Sequence, residues 1–326
     1  MKIRTFLAAT TLSAFAFLAA CKSGNGSSQA TIAVIPKGTT HIYWKSVEAG
    51  AKKAAAELGV NVTFIGPQKE DDRSQQIDLV TNQSLLCDAI VLAPLDATAL
   101  RDVAQQTAQQ GKPVVIIDSA LADSTSFITS FVATDNREGG RLAARRLAEV
   151  LGGKGKVMML RYMQGSASTT EREEGFLEEI KKSPEIEVVS ENQYGGATAS
   201  QAQDAATNLL QSQMNGAELK VQGIYCPNQT TTYGMLQALQ GKALAGKVKF
   251  VGFDCDATFL DALKKGELHG TVLQDPVNMG YLGVKAAHSK LKGEPVTPVI
   301  DTGATLVTPE NISEPAIDAL IKTQVP

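Results

Sequence analysis

Three histidines are the only imidazole bases in this sequence, at His41, His269 and His288. Nucleophilic hydrolysis needs such a base held beside an activated hydroxyl or thiol. His288 lies among lysines in KAAHSKLKG and His269 follows a helical stretch in GELHG, so both read as solvated surface. His41 differs, because it stands in the loop after the first apolar strand, where open α/β sheets place their ligands. The sequence holds no G-x-S-x-G, HExxH or CxxC. The glycines of LGGKGKV lack the third glycine and following helix of a dinucleotide or phosphate loop, and read as a turn. Glu173-Glu174 and Asp71-Asp72 are neighbours in the chain, which does not oppose them across a substrate. They read as solvated charge. Neither catalysis nor a bound metal or cofactor is expected.

What remains suits a neutral polyol. Sugar hydroxyls donate and accept at once, so a good site mixes carboxylates, amides and a guanidinium with aromatic rings against C–H faces. Asp118, Arg172, Asn228, Asp254 and Gln274 supply the polar part; Tyr43 and Trp44 supply the aromatic part. Trp44 also shares a helical stripe with Val47 and Ala51, so its ring serves either the cleft or the core. Asp96 and Asp135 serve equally as helix caps or as ligand contacts.

The elements that must position these groups alternate. Short β-branched runs, TIAVIPK, NVTFIGP, AIVLAPLD, PVVIID and FITSFVATD, then KVMMLRY, EIEVVSE, VQGIYCPN, VKFVGFD and GTVLQDP, are separated by amphipathic stretches. Several of those helices stop at glycine, as in ELG and KKG. This is a parallel α/β pattern with units of ~25–30 residues. About ten strands would overfill one open sheet, so two sheets are expected, with the division near Thr134 to Asn136. Lys37, Asp118, Asn228, Asp254 and Gln274 all follow strands, at the ends where the ligand crevice of such sheets lies.

Outside the lobes, Met1 to Cys21 has basic Lys2 and Arg4, an apolar run and small residues before the cysteine. That pattern predicts an export signal with a lipobox, acylated at Cys21, followed by a flexible tether over residues 22–30. The localisation that follows is the periplasm or cell surface, anchored to a membrane by lipid. About 300 residues remain, enough for two lobes of ~150 each. A net charge of −3 with mixed signs shows no basic patch for nucleic acid. Of Cys87, Cys226 and Cys255, the last two either form a bridge or, as the favoured reading, stay buried thiols.

The ordered segments IAVIPKGTTHIYWKSVEAGAKKAAAELG, VVIID, VATDNREGGRLAA, GSASTTEREEGF, IYCPNQTTTYGM, VGFDCD and GTVLQDPVNMGYLGVKAA resemble the ribose-binding-protein family of type I periplasmic binding proteins. The resemblance runs from Thr31 to about Glu310. It implies two Rossmann-like lobes, each a parallel sheet sandwiched by helices, joined by crossings near Asp135, Gln274-Asp275 and Gly303. The lobes would comprise residues 31–134 plus 275–303 and 135–274 plus 304–326. It implies ligand contacts at Tyr43, Trp44, Asp118, Arg172, Asn228, Asp254 and Gln274. Lys37 stands where ribose binders have a small hydroxyl residue, His41 replaces an asparagine, and Ser119 replaces an arginine, so Lys37 and His41 join the candidate site. An aromatic from the second lobe is expected near Tyr194 or Ala197. The implied role is a monomeric receptor that delivers a monosaccharide or polyol to the membrane permease of an ABC importer. A receptor for a furanosyl autoinducer shares Ile35-Pro36-Lys37, but Arg172 and Asp254 argue against it.

Overall fold

The computed structural model describes residues 29–216 and 218–324, so the signal, Cys21 and most of the tether lie outside the described residues. The first lobe is built on β1 (Thr31–Ile35), β2 (Asn61–Phe64), β3 (Ala89–Leu92), β4 (Val114–Ile117) and β5 (Ser130–Ala133), with α1 (Ile42–Leu58), α2 (Arg73–Leu86) and α3 (Arg101–Gln109) between them. The chain then crosses over. The second lobe contains α4 (Asn136–Val150), β6 (Lys154–Arg161), α5 (Ala167–Ile180), β7 (Glu185–Tyr194), α6 (Ala199–Ser212), β10 (Gly223–Tyr225), α7 (Gln229–Gly241), β11 (Lys249–Phe253), α8 (Ala257–Lys265) and β12 (Gly270–Leu273). A short ribbon of β8 (Met214–Asn215) and β9 (Glu218–Leu219) interrupts it. The chain returns through α9 (Pro276–Leu291) and β13 (Val299–Asp301), then crosses again to β14 (Thr305–Val307) and α10 (Pro315–Gln324).

The strand orders are β13-β5-β4-β3-β1-β2 and β14-β12-β11-β10-β6-β7. Their central strands are apolar throughout because both faces are covered. In β1, Ile32 and Val34 enter the core under α1 and α9, while Ala33 and Ile35 enter the core under α2 and α3. In β11, Phe250 points to the core with α7 and α8 and Val251 to the core with α4 and α5. This is the alternation of a strand buried on both sides.

Both sheets are dominated by parallel pairs, as expected, and the second carries one antiparallel edge, β14 against β12. The reason is topological. β12 runs toward the other lobe and leaves through residues 274–275, whereas β14 comes back from it through residues 302–304 and must run the other way. β13 instead heads for the crossing beside β5, and is parallel to it. β13, β14, α10 and the β8–β9 ribbon are absent from the elements expected of the sequence. These strands are only two or three residues long, too short to show a period.

Glycines set how the site helices pack. A Cβ on Gly50 would lie 1.8 Å from the Val277 carbonyl oxygen, and one on Gly280 2.1 Å from that of Val47, so α1 and α9 touch backbone to backbone. The second lobe repeats the device. A Cβ on Gly140 would lie 2.0 Å from the Arg172 carbonyl oxygen and one on Gly175 2.1 Å from that of Arg137, bringing α4 equally close to α5. α10 sends Ile317 and Ile321 into the second lobe's core and also lies against α1 and α9 of the first.

Candidate functional site

The two sheets face one another with the C-terminal ends of their strands. Asp118 follows β4 and Asp254 follows β11, and each adopts a left-handed backbone, with φ of 63° and 67°. Such conformations are uncommon outside glycine, and asparagine and aspartate are among the side chains that adopt them most readily. Both carboxylates are nearly buried and turned into the space between the lobes. The structure brings all nine candidate residues, Lys37, His41, Tyr43, Trp44, Asp118, Arg172, Asn228, Asp254 and Gln274, to the wall of one interlobe chamber of about 40 Å³.

All but His41, whose buried Nδ1 meets no partner among the described residues, are held by definite contacts. Lys37 Nζ pairs with Asp118 Oδ2 at 2.7 Å and donates to Ser168 Oγ of the opposite lobe at 3.0 Å. Tyr43 donates its hydroxyl to Asp118 Oδ1 at 3.0 Å, and its ring meets Trp44 edge-on at 4.9 Å. Burial and the Asp118 charge raise the Tyr43 phenol well above its ordinary value, so it remains a donor. Arg172 is 2 % exposed; its Nε donates to Asn136 Oδ1 at 2.8 Å and one terminal nitrogen to the Pro227 carbonyl at 3.1 Å. Its guanidinium lies 3.9 Å above the Phe253 ring, leaving the other terminal nitrogen to serve the chamber. Asp254 accepts from Gln229 N at 3.0 Å and Gln274 Nε2 at 2.7 Å. Burial raises its carboxyl pKa, against the lowering pull of Arg172. Asn228 caps α7 through Oδ1, which accepts from Thr231 N, and so offers the chamber its amide nitrogen.

Trp44 resolves the choice left open for it by doing both. It is 2 % exposed in the core with Val47 and Ala51, yet its edge reaches the chamber and donates to Glu70 Oε1 at 2.7 Å. Asp135 caps α4 through Glu138 N, and Asp96 accepts from Thr98 N and Ala99 N while pairing with Arg73, so neither reaches the chamber.

Several wall residues escaped the sequence. Glu70 and Tyr162 join across the lobes, the Tyr162 hydroxyl donating to Glu70 Oε2 at 2.7 Å. Tyr162 supplies the second-lobe aromatic wall that was expected near Tyr194 or Ala197; Tyr194 is 40 % exposed and Ala197 lines a separate outer cavity. Its signal was available, since it stands one residue past β6, at the strand end that points to the crevice. Glu70 has no such signal. It lies in a loop whose place is set by tertiary packing.

Two surface readings are also overturned. Glu173 is 2 % exposed, accepts from Tyr162 N and pairs with Arg161 at 2.8 Å, and burial raises its carboxyl to about 7. His269 is half-buried, with Phe250 N–H donating to Nδ1, and burial beside Lys249 lowers it to about 4. Cys226 and Cys255 are free buried thiols; burial pushes Cys226 far up and Cys255 to about 12. Neither is a reactive thiolate at neutral pH.

The periplasmic binding protein domain matches residues 32–295. The chain belongs to that family. The ribose import binding protein of Escherichia coli (strain K12) is 30 % identical to this periplasmic binding protein over 298 residues, covering 88 % of this chain and 93 % of the relative. The D-allose-binding periplasmic protein of the same organism is 29 % identical, over 83 % of this chain and 87 % of its own. Among solved structures, a carbohydrate transporter solute binding protein from Agrobacterium radiobacter in complex with D-arabinose superposes with a TM-score of 0.85 at 37 % identity, covering 90 % of this chain and 99 % of that one. An ABC transporter solute binding protein from Agrobacterium vitis with bound D-fucose gives 0.84 at 34 %, over 88 % and 98 %. The family is one of substrate-binding proteins of transporters.

Proposed function

We propose that this chain is the substrate-binding protein of a bacterial ABC importer and holds a neutral monosaccharide or related polyol between its lobes. The observation that supports this most is the pairing of Asp118 and Asp254, one from each lobe, at matching strand ends beside Arg172. A ligand contacting both carboxylates gains only when the lobes are together, which is the differential binding that closure requires. The charges favour a neutral ligand. Lys37 is already paired with Asp118, and the carboxylates Glu70, Asp118 and Asp254 outweigh Lys37 and Arg172 around the chamber, so an acidic sugar meets net repulsion. A chamber of about 40 Å³ holds only a few waters at ~10–15 Å³ each, so a sugar enters with the lobes apart.

The lobes take residues 31–134 plus 275–303 and 135–274 plus 304–326, and rotate about residues 134–135, 274–275 and 302–304, where strands of one sheet give way to elements of the other. The protein acts as a monomer with no enzymatic activity. It is exported, with lipid attached at Cys21 to tether it near its permease. The relatives favour a sugar over a furanosyl autoinducer. Thermal-shift and calorimetric titration against pentoses, hexoses, polyols and uronates tests the reading: a neutral sugar raises the melting temperature by mass action and uronates do not. Binding confined to uronates, or to no sugar at all, would overturn it.

A further inference from the structure

Beside the inner chamber, at the same interface, lies an outer cavity of about 670 Å³. One side comes from residues 40–42 and 68–70 of the first lobe, the other from residues 197–199, Tyr233 and residues 256–258 of the second. His41, Glu70, Gln229 and Thr230 line both spaces and form their common wall. Gln229 is 8 % exposed, and its Nε2 is fixed on Asp256 Oδ2 at 2.7 Å. That bond settles which end of the amide is which, and no donor among the described residues reaches its buried Oε1. That oxygen is closed to both spaces, and the Gln229–Asp256 bond fixes the wall between them.

Resting on the sugar-binding reading above, we infer that the outer cavity is a second saccharide subsite. The ligand class is then a neutral O-glycoside, a disaccharide or glycosyl-polyol, with one ring in the inner chamber and its hydroxylated partner against Gln229 and the Tyr233 ring. The size fits, since sites for small ligands span ~300–1,000 Å³. The chemistry is that of a sugar ring: Gln68, Thr258 and the Asp256 carboxylate on the wall are groups that hydrogen-bond hydroxyls, and Tyr233 with Ile42 offers apolar surface to C–H faces. An anionic partner is disfavoured. The N-termini of α6, α7 and α8 open here, but Thr198, Asn228 and Asp256 already cap them, and Glu70 and Asp256 face Lys69 as the one cation on the wall.

Calorimetry on the whole protein compares D-glucose, D-galactose and D-allose with trehalose, melibiose, lactose, glucosylglycerol and glucose 6-phosphate. At least one neutral glycoside is expected to bind 10-fold or more tightly than its parent sugar. Tyr233→Ala should erase that gain and leave the parent sugar's affinity unchanged. Thr258→Trp, which fills the outer cavity from a half-buried position in the first turn of α8, should do the same should Tyr233→Ala lose the fold. If free sugars bind and every glycoside binds equally or more weakly, the second subsite is wrong and the transport reading stands. Preferential binding of glucose 6-phosphate overturns the neutral class proposed here. No binding by any saccharide overturns both readings.

Discussion

Replacing Arg172 with lysine keeps the charge and removes the planar fork, and the structure says what each part is worth. Two neutral acceptors, Asn136 Oδ1 and the Pro227 carbonyl, take hydrogen bonds at 2.8 and 3.1 Å, and the guanidinium stacks 3.9 Å from the Phe253 ring. A lysine ammonium is a point charge that cannot make both bonds, keep the stack and still reach the chamber. Losing two bonds of about 1 kcal/mol each and a stacking contact of about 0.5–1 kcal/mol lowers stability by roughly 2–3 kcal/mol. The remaining terminal nitrogen gives a charged bond to a ligand hydroxyl worth about 1.5–3 kcal/mol, so the dissociation constant rises roughly 10- to 100-fold. Isothermal titration with the cognate sugar, run well below the melting temperature of Arg172→Lys, separates the two losses. Arg172→Ala should be worse on both counts, because it also leaves Asp254 buried without its cation. Retention of binding within twofold by Arg172→Lys, with an unchanged melting temperature, would refute the role assigned to the fork.

Between pH 4.5 and about 7 the buried Glu173 carboxyl, raised from 4.5 to about 7, holds a proton in the folded chain that the unfolded chain has released. Its stabilisation is present below pH 4.5, is lost as pH rises toward 7 and amounts to about 3 kcal/mol across that window; Glu173→Gln should flatten this slope in urea titrations repeated from pH 4.5 to 7.5, and an unaltered slope would contradict the assignment. Gly140→Ala places a methyl group 2.0 Å from the Arg172 carbonyl oxygen and 2.8 Å from Phe176 N. Forcing α4 and α5 apart should cost about 1–3 kcal/mol and weaken sugar binding by moving Arg172, whereas wild-type stability and affinity together would show the close approach to be dispensable.

The sequence by itself determined the architecture and the lobes' shared logic. Apolar runs such as AIVL and VVII are buried on both faces in β3 and β4, and their spacing by amphipathic helices leaves a parallel α/β sheet as the economical solution. The polar residues after those runs, Asp118 and Asp254 above all, were legible because a strand's end points where its direction takes it. Local capping was legible in part: Asp135 stood as cap or ligand contact, and it caps α4. Tertiary structure alone decided which of these groups meet. Glu173 and Glu174 are neighbours in the chain, but successive residues point about 100° apart around a helix, and only the packing of α5 buries the first while the second pairs with Arg137 at the surface. The Lys37–Asp118 pair, the Glu70–Tyr162 bond between lobes and the reversed direction of β14 likewise join residues far apart in sequence. Periodicity and caps are properties of a few consecutive residues. Partnership across a cleft depends on how two finished lobes dock, and no short stretch of chain contains that.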